Sequence, residues 1–437
     1  MKRVLVIGAG IAGAAAAWAA RARGARVCVT SHRAGASELC SGALDFHSWQ
    51  QPHAAQCALP ECLLSFASAL GTWQLPTHGA LVISSNGVLR PARGFERGLL
   101  DLSTLAGREI GVPDVERPDW DAVRLCKFLA RDATVQRLGL RFIPVRVPML
   151  RETAEQSSGS ADLAARHDAS ERVEWLIEKL GRHGLDAWLL GPWLGTVTPR
   201  SQDVSHALGV PVGEALSDVG EAAGMRTSAA IERLLAQAGV ERQHLRLDQL
   251  LPPDAEHPCW RGLSSAAQPW RADAVVVACG GLAAGGVVVK RSRRGAPGGA
   301  GLALNFSADL LLEYNGQLVD QASSLHGVDF EHGGRALVEG LGVGVCATSP
   351  QPSPPLQAGH QVAAPARPAA TRAEAAFEAD AMLVAARRAT AAEMGSAGSA
   401  ASSVFVAGDV RAGGPRSMLF AAYTGICAGN AAARAIE

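Results

Sequence analysis

Hydrophobic positions in this chain gather into a few unbroken runs, and three of them share one shape: a short β-branched stretch that ends on glycine. Val4-Leu5-Val6-Ile7 leads into Gly8-Ala9-Gly10-Ile11-Ala12-Gly13. Ala274-Val275-Val276-Val277 leads into Ala278-Cys279-Gly280-Gly281, and Val404-Phe405-Val406-Ala407 into Gly408-Asp409. Runs that stay apolar instead of alternating belong to strands buried on both faces, as in a parallel sheet. After the first run, Ala14 to Ala20 is a strong helix former that continues to Arg23 and stops at Gly24. Val27-Cys28-Val29-Thr30 then predicts a second strand. Strand, glycine turn, helix and strand within about thirty residues make a βαβ unit with a GxGxxG turn.

The turn has specific mechanics. Gly8 allows the tight turn, Gly10 lets a pyrophosphate approach the backbone, and Gly13 lets the helix pack on the strand. The helix N-terminus then faces the anion. Glycines kept only for packing would look alike, but the strand before and the helix after favour phosphate binding. One part of the dinucleotide fingerprint is absent. The second strand ends at Thr30-Ser31-His32 without the acid that binds the adenosine ribose, and Glu38 lies too far along. Either a hydroxyl replaces the acid or the adenosine end is loosely held or missing. At the third run, Asp409 can accept hydrogen bonds from a sugar-alcohol hydroxyl or simply cap a helix.

The rest of the chain is less regular. From Phe46 to about Gly213 the pattern is mixed, with short apolar runs such as Ala80-Leu81-Val82-Ile83 and an amphipathic helix over Trp120 to Ala130. Glu152 to Ser170 is polar and predicts a solvated insertion. Ile231, Leu234, Leu235 and Ala238 fall at helical spacing before Gly239. Lys290 to Arg294 predicts a solvated basic loop, Ala347 to Ala369 a Pro-rich linker, and Glu374 to Met394 an alanine-rich helix. A last helix from Ser417 keeps Ala421, Ala422, Gly425, Ala428 and Gly429 on one face. The expected class is α/β: a discontinuous Rossmann-like domain from 1–48, 214–300 and 395–437, with an inserted α+β substrate or cap region from 49–213 and 301–394.

Composition narrows the functions. Over 437 residues, Lys plus Arg and Asp plus Glu are 41 each, so no net field favours nucleic acid or an anionic membrane. Apolar stretches are too short or too interrupted to span a bilayer. Lys2-Arg3 before an alanine-rich run mimics a secretory signal, but cleavage there would destroy the glycine turn, so the expected location is cytoplasmic. Nine cysteines form no CxxC and twelve histidines no HExxH, so no metal or iron–sulfur site is expected.

Taken together, GAGIAG near residue 8, VVVACGG near 277 and VFVAGDV near 406 resemble the two-dinucleotide-binding-domain flavoproteins, in which the C-terminal strand completes the N-terminal sheet. Within that group the chain is similar to the fumarate reductase branch, and most to the family of B-type flavoprotein subunits of anaerobic glycerol-3-phosphate dehydrogenase. The residues that carry this are Val27 to Thr30 leading to Ser41-Gly42-Ala43-Leu44-Asp45, Leu75-Pro76-Thr77 and Leu89-Arg90-Pro91. Leu208 to Val212 before Gly224-Met225-Arg226, and Cys279-Gly280-Gly281-Leu282 with Gly285-Gly286, add to it. Cys279 stands where that family has Thr. The match covers most of 1–300 and 400–437 patchily and is weak at 150–200 and 340–400.

The resemblance implies bound FAD, with FMN as the alternative, contacted by Gly8, Gly10, Ile11, Ala12, Gly13, Ser41, Gly42, Ala278, Gly280, Gly408 and Asp409. It implies oxidation of sn-glycerol 3-phosphate to dihydroxyacetone phosphate. Electrons would pass to quinone through a membrane-docking iron–sulfur protein, and a sister flavoprotein would complete the complex. Arg416 is the candidate for the substrate phosphate, with Arg200 and Arg226 behind it. His47 and His78 lie in plausible loops, but no general base is named. A fumarate reductase-like flavin oxidoreductase of the same fold acting on another small substrate, or a non-catalytic assembly role, are the rival readings; an NAD-dependent enzyme would leave the return strand without its flavin role.

Overall fold

The computed structural model describes residues 2–47, 57–265, 267–281, 283–290, 301–308, 311–314, 317–319, 344–346, 403–410 and 417–437. The expected linker at 347–369, the helix at 374–394 and the basic residues 291–294 lie outside them. The chain divides into two compact units. One holds residues 1–33, 238–414 and 421–437; the other holds 34–237 and 415–420.

The first unit is built on five strands: β1 (Arg3–Ile7), β2 (Arg26–Thr30), β3 (Glu241–Gln243), β4 (Ala274–Val277) and β5 (Val404–Val406). They pair in the order 3-2-1-4-5, every pair parallel. This is the doubly wound arrangement, with a switch point at β1 where the strand order reverses. The three β-branched runs thus become neighbours: β4 is wholly buried between β1 and β5. One sheet face carries Leu5, Ile7, Val275, Val277, Val404 and Val406 against Leu247, Leu250, Trp260 and Phe306. Those partners belong to or flank the antiparallel strands Gln249–Leu251 and Trp260–Ser264 and the short strand Ser307–Ala308.

Helix α1 (Ile11–Ala22) is buried along Ala14, Ala15, Ala16, Ala17, Ala19 and Ala20. Its alanines let α2 (Met418–Ala435) come to backbone contact. A Cβ on Gly425 would strike the carbonyl of Ala12, and one on Gly429 the carbonyl of Ala16. The small face foreseen on this helix is therefore a packing requirement.

The second unit centres on a four-stranded parallel sheet, ordered Val212–Glu214, Ala187–Leu190, Glu109–Asp114 and Arg141–Arg146. Short antiparallel ladders join it, among them Ala80–Ile83 with Leu89–Ala92. The expected amphipathic helix spans Ala122–Leu129, and the helix stopped at Gly239 spans Ala222–Gln237. That second helix packs on the turn Ala36–Leu39, so 34–48 and 214–237, expected with the flavin-binding residues, group with the second unit.

Glu152 to Ser170 is only partly a solvated insertion: exposed positions alternate with a buried set that includes Ser160, Leu163 and Ala164. Glu155 is fully buried, bonded by Arg172 at 2.5 Å and Arg166 at 3.1 Å, while Arg117 donates to its carbonyl at 2.7 Å. His167 is fully buried too, and desolvation pushes its imidazole down to about 4, so it stays neutral. The segment reads as polar because many of its residues do face solvent, while Glu155 is buried against Arg117 and Arg172 from outside it.

A second buried cluster forms in the same unit. Arg226 donates Nη2 to Glu96 at 2.7 Å and to Glu214 at 2.6 Å, all three side chains being 0% exposed. Its Nη1 reaches the carbonyls of Leu194 and Gly195. Two carboxylates share one guanidinium, so burial, reinforced by Glu96, pushes Glu214 up from 4.5 to about 7 against the pull of Arg226. Arg226→Met would strand two buried carboxylates and should cost roughly 3–5 kcal/mol in denaturant unfolding. Glu214 holds its proton in the fold between pH 4.5 and about 7, where the unfolded chain has released it. Its contribution is full below that window and lost as pH rises through it. Stability measured from pH 5 to 8 should fall accordingly in the wild type, and Glu214→Gln should flatten the fall; equal slopes would refute the assignment.

Candidate functional site

In the first unit, β1, β4 and β5 end on one edge, and the backbone there is packed too closely for side chains. Gly8 has φ +111° and donates its N–H to the carbonyl of Thr30 at 2.8 Å. A Cβ on Gly8 would strike the carbonyl of Ala278, just beyond β4. A Cβ on Gly13 would strike the carbonyl of Gly8 itself. The ladder continues past the strands, with Ala278 N–H to Ile7 at 2.8 Å and Ala407 N–H to Val277 at 3.0 Å.

Gly10 is the N-cap of α1, extended at φ −70° and ψ −176°, with no side-chain cap. No acid occupies the first turn. Ile11 and Ala12, both buried, carry the helix start inward. The positive end of the helix dipole thus opens at a glycine, with no carboxylate to compete for an anion.

Gly408, at φ +72°, donates its N–H to Thr424 Oγ1 at 2.9 Å, and a Cβ there would sit 2.6 Å from that of Ala12. Asp409 follows, half-buried in the turn Gly408–Val410. Its carbonyl would lie 3.1 Å from a Cβ on Gly281. Gly280 turns at φ +77°. Gly8, Gly10, Ile11, Ala12, Gly13, Ala278, Gly280, Gly408 and Asp409 therefore share one edge of one sheet. Cys279 lies among them, but burial pushes its thiol up to about 12, so it offers no thiolate.

Ser41 and Gly42 belong to the second unit. Gly42 has φ +103°, its carbonyl accepts from Glu96 N–H at 2.7 Å, and Ser41 accepts from Ser217 N–H at 3.1 Å. In the same unit Asp45 pairs with Arg90, which opposes the upward push of burial on its carboxyl. The Asp45 carbonyl accepts from Leu419 N–H, and Phe46 meets Phe420 edge-on at 5.9 Å. That ion pair bridges 45 positions and has no local sequence signal.

The candidate phosphate ligands fare differently. Arg226 is locked between Glu96 and Glu214 and is corrected to a structural residue. Arg200 is held by Asp203 at 2.9 Å and by the carbonyl of Asp168. Arg416 lies outside the described residues. His47 stacks edge-on against Phe46 at 5.0 Å, and His78 is exposed.

Residues 3–56 match the FAD binding domain family. The match spans only this N-terminal stretch, which holds β1, the glycine turn, α1 and β2. The cofactor is FAD, and the glycine cradle with its uncapped helix fits the diphosphate such a cofactor brings. No curated protein matches the chain. Among solved structures, glycine oxidase from Geobacillus kaustophilus aligns with 99% of this chain and 95% of its own, at 14% identity and TM-score 0.32. The 3-ketosteroid delta1-dehydrogenase of Sterolibacterium denitrificans aligns over 64% of this chain at 17% identity and TM-score 0.27. The alignments to it and to the delta4-(5alpha)-dehydrogenase of Rhodococcus jostii RHA1 span 48% and 46% of those chains. At such scores these likenesses carry no argument about activity.

Among the described residues no group of His, Cys, Asp and Glu is placed to hold a metal, and no helix is long and apolar enough to cross a membrane. Gly13→Ala should drive the Gly8 carbonyl out of place and lower FAD retained through purification by about tenfold. Gly184, whose added Cβ meets nothing within 4 Å, is the control: Gly184→Ala should keep full flavin content by absorbance.

Proposed function

We propose that this protein is a B-type flavoprotein subunit of an anaerobic glycerol-3-phosphate dehydrogenase. The observation that carries the reading is the acid-free strand end Thr30-Ser31-His32 followed by Ser41-Gly42-Ala43-Leu44-Asp45, a combination similar to that family's. The reaction is oxidation of sn-glycerol 3-phosphate at C2 to dihydroxyacetone phosphate, with two electrons passed toward quinone. Bound FAD supplies the two-electron acceptor for that oxidation.

In this reading the chain's own work is to bind and orient. Main-chain amides from Gly8 to Gly13 hold the diphosphate, Ala278 and Gly280 give it a close backbone wall, and Asp409 steadies the ribityl hydroxyls. Arg416 remains the proposed ligand for the substrate phosphate. The partners are a sister flavoprotein and an iron–sulfur protein that docks on the membrane, with this chain on the cytoplasmic side.

One observation favours a second reading. Arg226 and Arg200, the alternatives to Arg416, are both engaged by partners within their own unit. That suits an assembly role in which this chain keeps flavin while a sister chain turns over substrate.

The visible spectrum of the pure protein, chromatography of the heat-released chromophore and anaerobic titration with glycerol 3-phosphate test these readings. A yellow protein that releases FAD and is bleached by glycerol 3-phosphate supports the dehydrogenase. FAD without bleaching until the partner proteins are added supports the assembly role. Bleaching only by another small acid or alcohol would refute both.

A further inference from the structure

The end of β2 carries positive charge that the diphosphate cradle does not use. Dinucleotide folds place there the carboxylate that accepts hydrogen bonds from the adenosine ribose. Thr30 is not its substitute: the side chain is buried and its hydroxyl donates to the carbonyl of Leu245 at 2.9 Å. Next come His32 and Arg33, both exposed. Arg246, one residue past Leu245, is exposed as well and donates Nη2 to the carbonyl of Asn305 at 3.1 Å. Desolvation, helped by the nearness of Arg33 and Arg246, holds the His32 imidazole below its usual range. Asp248 also lies near Arg246, but its carboxylate accepts from Ser265 N–H at 2.7 Å.

Arg33 does not hang free in solvent. Its guanidinium fills the space that a Cβ would take on Gly285, which sits at φ +65° in the loop after β4. β2 and β4 flank β1 on opposite sides. A side chain that starts past one and rests on the loop past the other passes across the carboxyl end of β1. That is where the glycine turn begins.

We propose that Arg33, supported by Arg246, forms a cationic clamp for the adenosine end of FAD in place of the ribose-binding carboxylate, with the neutral His32 beside it. The proposal rests on the FAD assignment. A carboxylate accepts from the ribose hydroxyls and repels any phosphate they carry. A guanidinium donates to the hydroxyl oxygens and pairs with such a phosphate. The clamp therefore prefers an adenosine nucleotide whose ribose is phosphorylated, the opposite of an acid-ended site.

Calorimetry on the full-length apoprotein with 5′-ADP and adenosine 2′,5′-bisphosphate tests this without any turnover. Wild type should bind the bisphosphate about tenfold more tightly, with the advantage shrinking as salt rises. Arg33→Ala should abolish the preference and Arg33→Glu reverse it, with melting temperatures unchanged because the side chain is exposed. Arg33→Ala should also weaken FAD about tenfold and leave FMN binding as it was. Wild type that binds the bisphosphate no better than ADP, or that binds neither, overturns the clamp. So does an Arg33→Ala protein with wild-type affinities. A wild-type protein that keeps the bisphosphate preference yet retains no FAD would instead count against the flavin reading.

Discussion

The cofactor edge depends on backbone meeting backbone. Gly8 lies against the carbonyl of Ala278, Gly13 against the carbonyl of Gly8, and Gly425 and Gly429 against the carbonyls of Ala12 and Ala16. Each contact leaves no room for a Cβ. Their joint effect is to bring β1, β4, α1 and α2 so close that main-chain amides, and not side chains, present themselves at the carboxyl ends of the strands. An anion held this way is bound by dipoles whose positions are fixed before it arrives, so little ordering remains to be done on binding.

The second unit packs around an apolar core and adds buried ion pairs to it. Its core contains the parallel sheet, but it also buries Arg226 with Glu96 and Glu214, and Glu155 with Arg172. Buried ion pairs of this kind contribute little net stability compared with apolar packing, yet breaking one partner is costly. They fix which segments must meet: Arg226 lies 130 positions from Glu96. The neutral His167 and the raised Glu214 carboxyl are consequences of the same burial.

Flavin binding and substrate chemistry separate along these lines. The diphosphate cradle uses almost no side-chain chemistry, so it tolerates a strand end without an acid. That leaves the sequence after Thr30 free to carry charge of the other sign, and Arg33 does so. Substrate recognition needs side chains with available donors; of two arginines that looked suited to it, Arg226 is committed to the interior and the half-buried Arg200 to Asp203 and the carbonyl of Asp168.

What could be read from the sequence was what short spacing dictates. A β-branched run ending in glycine and leading into an alanine-rich stretch has few ways to fold, so β1, α1, β2, the return strand Val404–Val406 and the small face of α2 were legible from residue order. The parallel sheet of the second unit was not, because its strands carry mixed patterns such as Arg141–Arg146, half-exposed along their length. Nor was the burial of Glu155 or Arg226 legible. A charged residue looks solvated in sequence, and only the tertiary structure supplies partners from distant segments. Residue order determined where backbone could turn and approach; the packed structure alone decided which charges face water and which face each other, because that depends on neighbours far away in the chain.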